Sequence, residues 1–133
     1  MKAIADTGFL VAFANRGDAH HEWAVELAER VTEPVLTCEP VLAEASFHLR
    51  DVALVLAMVS EGLVRVDFDV QANLGPISLL AKRYANRKPD LADLCIVRMS
   101  ELHPRHSVIT VDVTDLRVFR RNKREAIPII SPP

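Results

Sequence analysis

The sequence predicts an α/β domain built on a mostly parallel central sheet. Short apolar runs of strand length alternate with longer segments in which apolar residues recur at helical spacing. The chain has 133 residues, of which 50% are hydrophobic and 26% charged, an ordinary composition for one globular domain. It contains no internal repeat, low-complexity tract or linker. We therefore expect a single domain over residues 1–133.

The first half of the chain predicts two strands and four helices. Asp6-Thr7-Gly8 ends a short apolar run as a turn would, and apolar residues then recur at helical spacing after the next turn. Pro40 suits the first turn of a helix, Asp51 suits a helix N-cap, and Gly62 suits a helix end. In order we expect a strand at 3–5, helices at 9–14 and 20–31, a strand at 34–38, and helices at 40–49 and 52–60.

The second half continues the alternation. Gly75-Pro76 falls inside a helical pattern and either kinks that helix or marks its true start. Pro89 and Pro104 bracket the clearest helical pattern of the chain, and a β-branched run stops at Asp112. In order we expect a strand at 63–67, helices at 70–86 and 90–102, a strand at 107–111, a short helix at 116–121 and a strand at 127–130.

Charge and cysteine content narrow the class of protein. The net charge of −2 argues against a protein that coats nucleic acid with a large basic surface, although it is compatible with a nuclease that binds metal through carboxylates. Cys38 and Cys95 each lie in an apolar stretch and form no CxxC pair, which predicts buried, reduced thiols. With no basic-then-apolar leader and no membrane-length apolar run, we expect a cytoplasmic location.

Basic residues are concentrated in two segments. Each could contact phosphates or could form a solvated helix face. The two groups are Lys82, Arg83, Arg87 and Lys88, and Arg117, Arg120, Arg121, Lys123 and Arg124.

Two aspartates follow apolar runs at the positions where α/β proteins bind ligands. Asp6 is the first charged residue after the first predicted strand, and Asp112 is the first after the strand at 107–111. Ligands of open α/β sheets gather at the carboxyl ends of strands. Either residue alone could simply cap the following turn or helix, but the pair favours a shared site.

Two further acids lie on predicted helices. Glu44 borders an apolar helix face. A carboxylate buried there is costly to desolvate unless it is paired or bound to a metal, and the alternative is that Glu44 leans outward into solvent. Asp93 lies on the inward stripe of the next such helix, and Asp90 precedes it by three residues, either as an N-cap or as an auxiliary acid. No lysine or arginine lies at helical pairing distance from Asp6, Glu44 or Asp93, so local ion pairs do not explain them.

The four acids predict a site for a hard divalent cation. Oxygen donors without a histidine or cysteine cluster suit Mg²⁺ or Mn²⁺ better than zinc. His20 and His21 have a surface role in this interpretation, and His103 and His106 flank a proline in a predicted loop without the spacing of metal ligands. No G-x-S-x-G motif and no base beside a cysteine support covalent catalysis.

The order of these residues resembles that of PIN-domain proteins, especially the VapC-type toxin ribonucleases of toxin–antitoxin pairs. The resemblance covers nearly the whole chain and rests on the segments Asp6-Thr7, Val41-Leu42-Ala43-Glu44, Asp90-Leu91-Ala92-Asp93 and Val108-Ile109-Thr110-Val111-Asp112. It implies a PIN-like three-layer α/β/α fold.

The resemblance also implies a function and its residues. The chain would be a Mg²⁺- or Mn²⁺-dependent ribonuclease, forming a homodimer and paired with a cognate antitoxin. The metal-binding and catalytic acids would be Asp6, Glu44, Asp93 and Asp112, with Thr7, Asp90 and Asp115 in auxiliary roles. The apolar helix 52–63 is the first candidate for a partner surface, although core packing explains its composition equally well.

Other classes of protein fit less well. A receiver-type signalling domain usually has paired acids after the first strand and a lysine after a late strand, and this chain has neither. A dinucleotide-binding module would need a G-x-G-x-x-G motif after a strand, which is absent. A PIN-like or metal-binding domain that acts through protein partners without catalysis remains the alternative.

Overall fold

Five parallel strands form the central sheet of the computed structural model, which describes residues Met1–Pro133. The order across the sheet is β3-β2-β1-β4-β7, and β5 and β6 form a separate antiparallel hairpin. The strands are β1 (Ala3–Ala5), β2 (Val35–Thr37), β3 (Val64–Val66), β4 (Ser107–Ile109), β5 (Arg120–Arg121), β6 (Glu125–Ala126) and β7 (Ile129–Ile130).

The strand order reverses at the centre of the sheet. The chain adds β2 and then β3 on one side of β1, and it returns to place β4 on the other side. Ile4 in β1 is in register with Leu36 in β2 and with Val108 in β4. Open α/β sheets bind ligands at the carboxyl ends of the strands that flank such a reversal. The topology therefore predicts a ligand site at the residues that follow β1 and β4.

Seven α-helices cover the sheet, which confirms the predicted three-layer α/β/α architecture. Helix α1 packs on α2 and α3, α3 packs on α4, and α5 packs on α6. None of the seven has the length and apolar character needed to span a membrane. The helices are α1 (Thr7–Ala14), α2 (His21–Glu29), α3 (Glu39–Leu49), α4 (Val52–Ser60), α5 (Leu74–Arg83), α6 (Leu91–Leu102) and α7 (Val113–Arg117).

The core is centred on β1 and on helix α6. All three residues of β1 are buried, as expected for a central parallel strand that is covered on both faces. Helix α6 contributes seven buried residues, more than any other helix. Cys38 and Cys95 are both buried and free, as the sequence predicts. The core thus holds rigidly the two elements from which Asp6 and Asp93 extend.

Most predicted helices are present within a few residues of their expected bounds, and the differences have local causes. Helix α1 begins at Thr7 rather than Phe9, because the Asp6 side chain accepts a hydrogen bond from the Thr7 N–H and caps the helix. Helix α5 begins at Leu74, so Gly75 and Pro76 lie in its first turn. The sequence left open a kink or a true start there, and the structure has the start.

The predicted helix at 116–121 is wrong in its second half. Asp112 caps a five-residue helix that begins earlier, at Val113, and ends at Arg117. Arg120–Arg121 then forms β5, which pairs with β6. The chain reverses between them at Asn122 and Lys123, whose φ angles of 49° and 72° are left-handed. Asparagine tolerates that conformation better than most residues, and it was the available signal for a turn.

Neither alternative for the C-terminal basic segment, contact with phosphates or a solvated helix face, holds for Arg121. Its guanidinium is buried, and Nη1 donates 3.2 Å hydrogen bonds to both the carbonyl and the hydroxyl of Ser100 in α6. Its Nη2 pairs with Glu125 at 2.6 Å. Arg121 therefore anchors the β5–β6 hairpin to the core and is not free to bind phosphate.

Candidate functional site

An acidic cleft of about 470 Å³ opens at the carboxyl ends of β1 and β4. No lysine or arginine lines it, and none of its acids forms an ion pair. The four acids predicted as metal ligands, the two auxiliary acids and Thr7 all line this cleft. Its seven acidic residues are Asp6, Asp18, Glu44, Asp90, Asp93, Asp112 and Asp115.

Asp6 is the most constrained of these acids. Its backbone N–H donates to the carbonyl of Ile109 at 3.0 Å, which continues the pairing of β1 with β4. Its Oδ1 accepts from the Thr7 N–H at 2.8 Å, and its Oδ2 accepts from the Thr110 hydroxyl at 2.9 Å. Burial raises the pKa of this carboxyl, and the charges of Asp90 and Asp112 add to that rise. The fold thus holds a desolvated carboxylate in one fixed orientation.

Thr110 connects the two sides of the strand reversal. It is buried directly after β4, and its hydroxyl donates to Asp6 while accepting from the Asp112 N–H at 3.0 Å. Thr110 was not among the predicted site residues. The available signal was a hydroxyl-bearing residue between apolar neighbours, one position before Val111 and two before an acid.

Glu44 reaches the cleft from the middle of α3. Its Oε2 accepts a 3.0 Å hydrogen bond from the hydroxyl of Thr7, whose side chain is buried at the start of α1. Burial raises the pKa of Glu44, and the nearby Asp90 carboxylate raises it further. The sequence-based alternative of an outward-leaning glutamate is therefore wrong, because Glu44 points into the cleft and contacts Thr7.

Asp90 and Asp93 form the N-terminal capping box of α6. The Asp93 N–H donates to Asp90 Oδ1 at 2.8 Å, and the Asp90 N–H donates to Asp93 Oδ2 at 3.3 Å. Burial raises the pKa of Asp93 to about 7, and the adjacent charge of Asp90 contributes to the rise. Asp90 therefore caps the helix and also faces the cleft, so the two interpretations from sequence are compatible.

Asp112 and Asp115 lie at the exposed rim of the cleft. The side chain of Asp112 accepts a 3.2 Å hydrogen bond from the Asp115 N–H and caps α7. The pKa of Asp115 is raised by a side-chain hydrogen bond with Asp112 and by the negative charge of Asp112. Asp112 thus has a structural role as a cap, and its carboxylate remains accessible from the cleft.

Gly8 brings the two loops of the site into contact. It is the second residue of α1, and a Cβ atom at this position would overlap Cγ2 of Val111 in the loop after β4. A larger residue therefore fits there only if the Val111 side chain shifts. The close approach keeps Asp6 and Thr110 within hydrogen-bonding distance.

The donor chemistry of the cleft fits a hard divalent cation. Carboxylate oxygens are the preferred ligands of Mg²⁺ and Mn²⁺. Burial first, and repulsion between neighbouring carboxylates second, raise the pKa values of Asp6, Glu44 and Asp93, and a bound cation would offset that repulsion. In the structure no three acidic, histidine or cysteine side chains are arranged closely enough to hold a metal ion. Several of the carboxylates bind backbone N–H groups as helix caps instead, so a metal site would need side-chain rotation at Asp93 or Asp112.

Two further polar residues of the cleft were not predicted. Asp18 lies in the turn between α1 and α2, and its Oδ1 accepts a hydrogen bond from the His20 N–H at 2.8 Å. His48 follows Glu44 by four residues, one turn along α3, and that spacing was the signal that it could share the cleft. His48 is the one side chain lining the cleft that can carry positive charge.

Comparison with protein families agrees with this description. The family model described as PIN domain matches residues 3–121, which extend from β1 to β5 and include every acid of the cleft. No curated protein matches the chain.

Proposed function

This chain belongs to the PIN domain family, whose members are typically nucleases, and on that premise we propose that it is a Mg²⁺- or Mn²⁺-dependent ribonuclease. The observation that carries the proposal is the acidic cleft between β1 and β4. Seven carboxylates share it with no lysine or arginine, an arrangement that is costly unless cations bind there.

The proposed metal ligands are Asp6, Asp93 and Asp112, and Glu44 either binds a second ion or orients the attacking water. When bound, Mg²⁺ or Mn²⁺ supplies positive charge that activates water and stabilises negative charge on the phosphate and the leaving oxygen. This set of ligands is compatible with one bound ion and with two.

Hydrogen bonds within the protein pre-organise two of these acids. The Thr7 N–H and the Thr110 hydroxyl fix both oxygens of Asp6, so this ligand loses little conformational freedom on binding. The Thr7 hydroxyl fixes Oε2 of Glu44, and the carboxyl group of Asp90 is its acidic neighbour. Glu44 can therefore orient a water molecule or a cation while its own orientation is held.

We extend the proposal to the toxin of a toxin–antitoxin pair that acts as a single-domain homodimer. Support comes from exposed apolar side chains where α3 meets α4. Phe47, Val52 and Leu56 are 79%, 61% and 57% exposed, whereas Val55 and Met58 on the other face of α4 are buried. Large exposed apolar side chains on one surface favour a protein partner.

The first test is a cleavage assay on a pool of single-stranded and structured RNAs. The proposal predicts cleavage in Mn²⁺ or Mg²⁺ that EDTA abolishes, with no cleavage of a DNA pool of matched sequences. Tight Mn²⁺ binding by the folded protein without cleavage of any RNA would favour the alternative of a metal-binding domain that acts through protein partners. Absence of both Mn²⁺ binding and cleavage would contradict the proposal.

A further inference from the structure

A second cleft adjoins the acidic cleft and has the opposite charge. It has a volume of about 380 Å³ and shares Leu116 with the acidic cleft. No acidic residue lines it. Its lining consists of Leu116, Arg117, Arg120, Ala126, Ile127 and Ile129, which belong to α7, β5, β6, β7 and the segments between them.

The guanidinium of Arg120 is held in place at this cleft. Its Nη1 donates to the carbonyls of Arg117 at 2.7 Å and Phe119 at 3.1 Å. The Arg120 backbone N–H donates to the hydroxyl of Tyr84 at 2.9 Å, and the Tyr84 ring packs edge-on against Phe119 with ring centroids 4.9 Å apart. The other N–H groups of the guanidinium have no partner within the protein, so they are available to a ligand.

Neither arginine of this cleft has an acidic partner. The three ion pairs of the chain involve Arg65, Arg98 and Arg121, and the side chains of Arg117 and Arg120 contact no carboxylate. Unpaired guanidinium groups beside an apolar surface bind phosphate through charge-assisted, two-pronged hydrogen bonds. The charge of the cleft is therefore complementary to a phosphodiester backbone.

The remaining lining residues form an apolar floor. Leu116 and Ile127 are buried core residues that close the base of the cleft, and the half-buried Ile129 lines it from the edge strand β7. A nucleobase has apolar faces that pack on such surfaces and on guanidinium planes, and only an unpaired base can expose those faces. The cleft thus combines the two kinds of contact that a single-stranded nucleotide makes.

We propose that this second cleft binds one nucleotide of a single-stranded RNA segment, next to the phosphate that lies in the acidic cleft. The inference rests on the proposed ribonuclease function, because it assigns the neighbouring position of the same strand. Arg117 and Arg120 bind the phosphate, and Leu116, Ile127 and Ile129 contact the base. The two arginines supply the attraction for RNA that the acidic cleft itself lacks.

The test measures RNA binding without cleavage. Fluorescence anisotropy of a labelled single-stranded RNA of about 10 nucleotides is followed in EDTA, between low and moderate salt. The variants are Arg117→Gln, which has no side-chain hydrogen bond to lose, and the double variant Arg117→Gln/Arg120→Gln. Arg105→Gln is the charge-matched control, since the exposed Arg105 lies before the amino end of β4, whereas the acidic cleft lies at the carboxyl ends of the strands. Thermal melts confirm that each variant is folded.

The proposal predicts about 10-fold weaker binding for the double variant and a smaller loss for Arg117→Gln. The slope of log K against log salt should fall by about 0.7 for each phosphate contact removed, whereas Arg105→Gln should leave it unchanged. An RNA of the same length with abasic residues should bind the wild-type protein more weakly, because it has the phosphates without the bases.

Three results would overturn the proposal. Equal loss in Arg105→Gln would show general charge attraction rather than a site, and equal binding of the abasic RNA would remove the base contact. Unchanged RNA binding in folded Arg117→Gln/Arg120→Gln, with metal-dependent cleavage intact, would reject this cleft while leaving the ribonuclease proposal standing.

Discussion

The hydroxyl of Thr110 donates a 2.9 Å hydrogen bond to Oδ2 of Asp6, although 104 positions of sequence separate the two residues. The bond joins the ends of β1 and β4, where the strand order of the sheet reverses. Because the Thr7 N–H binds the other oxygen of Asp6, the carboxylate has one orientation before any ligand arrives. The bond thus ties the topology of the sheet to the geometry of the proposed metal site.

Removing this hydroxyl should weaken metal binding more than it weakens the fold. Thr110→Val keeps the shape of a buried side chain but removes the donor to Asp6 Oδ2 and the acceptor of the Asp112 N–H. Loss of a residue that orients a metal ligand typically costs about 10- to 100-fold in metal affinity or activity. We expect a loss of that size in Mn²⁺ affinity measured by calorimetry, with a stability loss of about 1 kcal/mol.

Thr37→Val is the matched control. Thr37 is also a buried threonine at the end of a parallel strand, but its hydroxyl donates to the carbonyl of Ala5 at 3.3 Å and not to an acid. Its Mn²⁺ affinity should equal that of the wild type. Equal affinities for Thr110→Val and Thr37→Val would show that Thr110 does not position Asp6.

Asp93→Asn should stabilise the metal-free protein above neutral pH. The pKa of Asp93 is about 7 in the folded protein against 3.8 for an ordinary aspartate, because burial and Asp90 disfavour its charge. The folded state therefore binds more protons than the unfolded state between these values, and stability falls as pH rises from about 4 to about 7. An asparagine does not ionise, so the variant escapes this loss.

Urea denaturation in EDTA measures the effect. At pH 8 we expect Asp93→Asn to be more stable than the wild type by about 1 kcal/mol, a value reduced for the partial exposure of the side chain. The difference should vanish near pH 4. Glu61→Gln, at an exposed position, is the control, and its stability should equal that of the wild type. If Asp93→Asn were less stable than the wild type at pH 8, the claim that the ionised Asp93 destabilises the folded protein would be wrong.

Gly8→Ala should disturb both the fold and the site. The new methyl group would overlap the stiff, branched side chain of Val111, and overpacking of this kind costs about 1–3 kcal/mol. Separation of the two loops should also lengthen the Asp6–Thr110 contact and lower Mn²⁺ affinity. Thermal melts and calorimetry measure the two effects.

Gly75→Ala is the control, with the opposite expected sign. Gly75 lies in the first turn of α5, and a Cβ there meets nothing within 4 Å. Because alanine favours helix more than glycine does, the variant should gain up to about 1 kcal/mol. Unchanged stability in Gly8→Ala would mean that the loop after β4 moves freely.

Arg121→Gln should destabilise the protein without affecting RNA binding. The substitution removes the hydrogen bonds to Ser100 and the pair with Glu125, and it leaves buried polar groups without partners. The expected loss is about 2–3 kcal/mol in the free energy of unfolding. The exposed Arg124→Gln should have no measurable effect on stability. RNA binding that falls only in folded Arg121→Gln would contradict its assignment as a purely structural residue.

The sequence predicted the sheet and the acids because both depend on local signals. Apolar runs such as Ala3–Ala5 mark buried strands, and an acid directly after such a run marks a strand end whatever the rest of the chain does. The family resemblance then placed Asp6, Glu44, Asp93 and Asp112 together, and the structure has all four in one cleft.

The features that the sequence did not predict depend on distant partners. The local signal at Thr110, a hydroxyl residue two positions before an acid, does not reveal its role, because that role comes from Asp6 at the other end of the chain. The burial of Arg121 likewise follows from Ser100 in α6. Each strand of the β5–β6 hairpin has two residues, which is too short for an alternating pattern to be recognised.

The most direct test of the central claim compares RNA cleavage in Mn²⁺ by the wild type, Asp6→Asn and Asp51→Asn. Both aspartates cap helices, and asparagine also caps, so both variants should fold. Of these two aspartates, Asp6 lines the acidic cleft and Asp51 does not. The account predicts that Asp6→Asn loses about 100-fold or more in cleavage rate while Asp51→Asn keeps the wild-type rate. Full activity in folded Asp6→Asn would contradict the account.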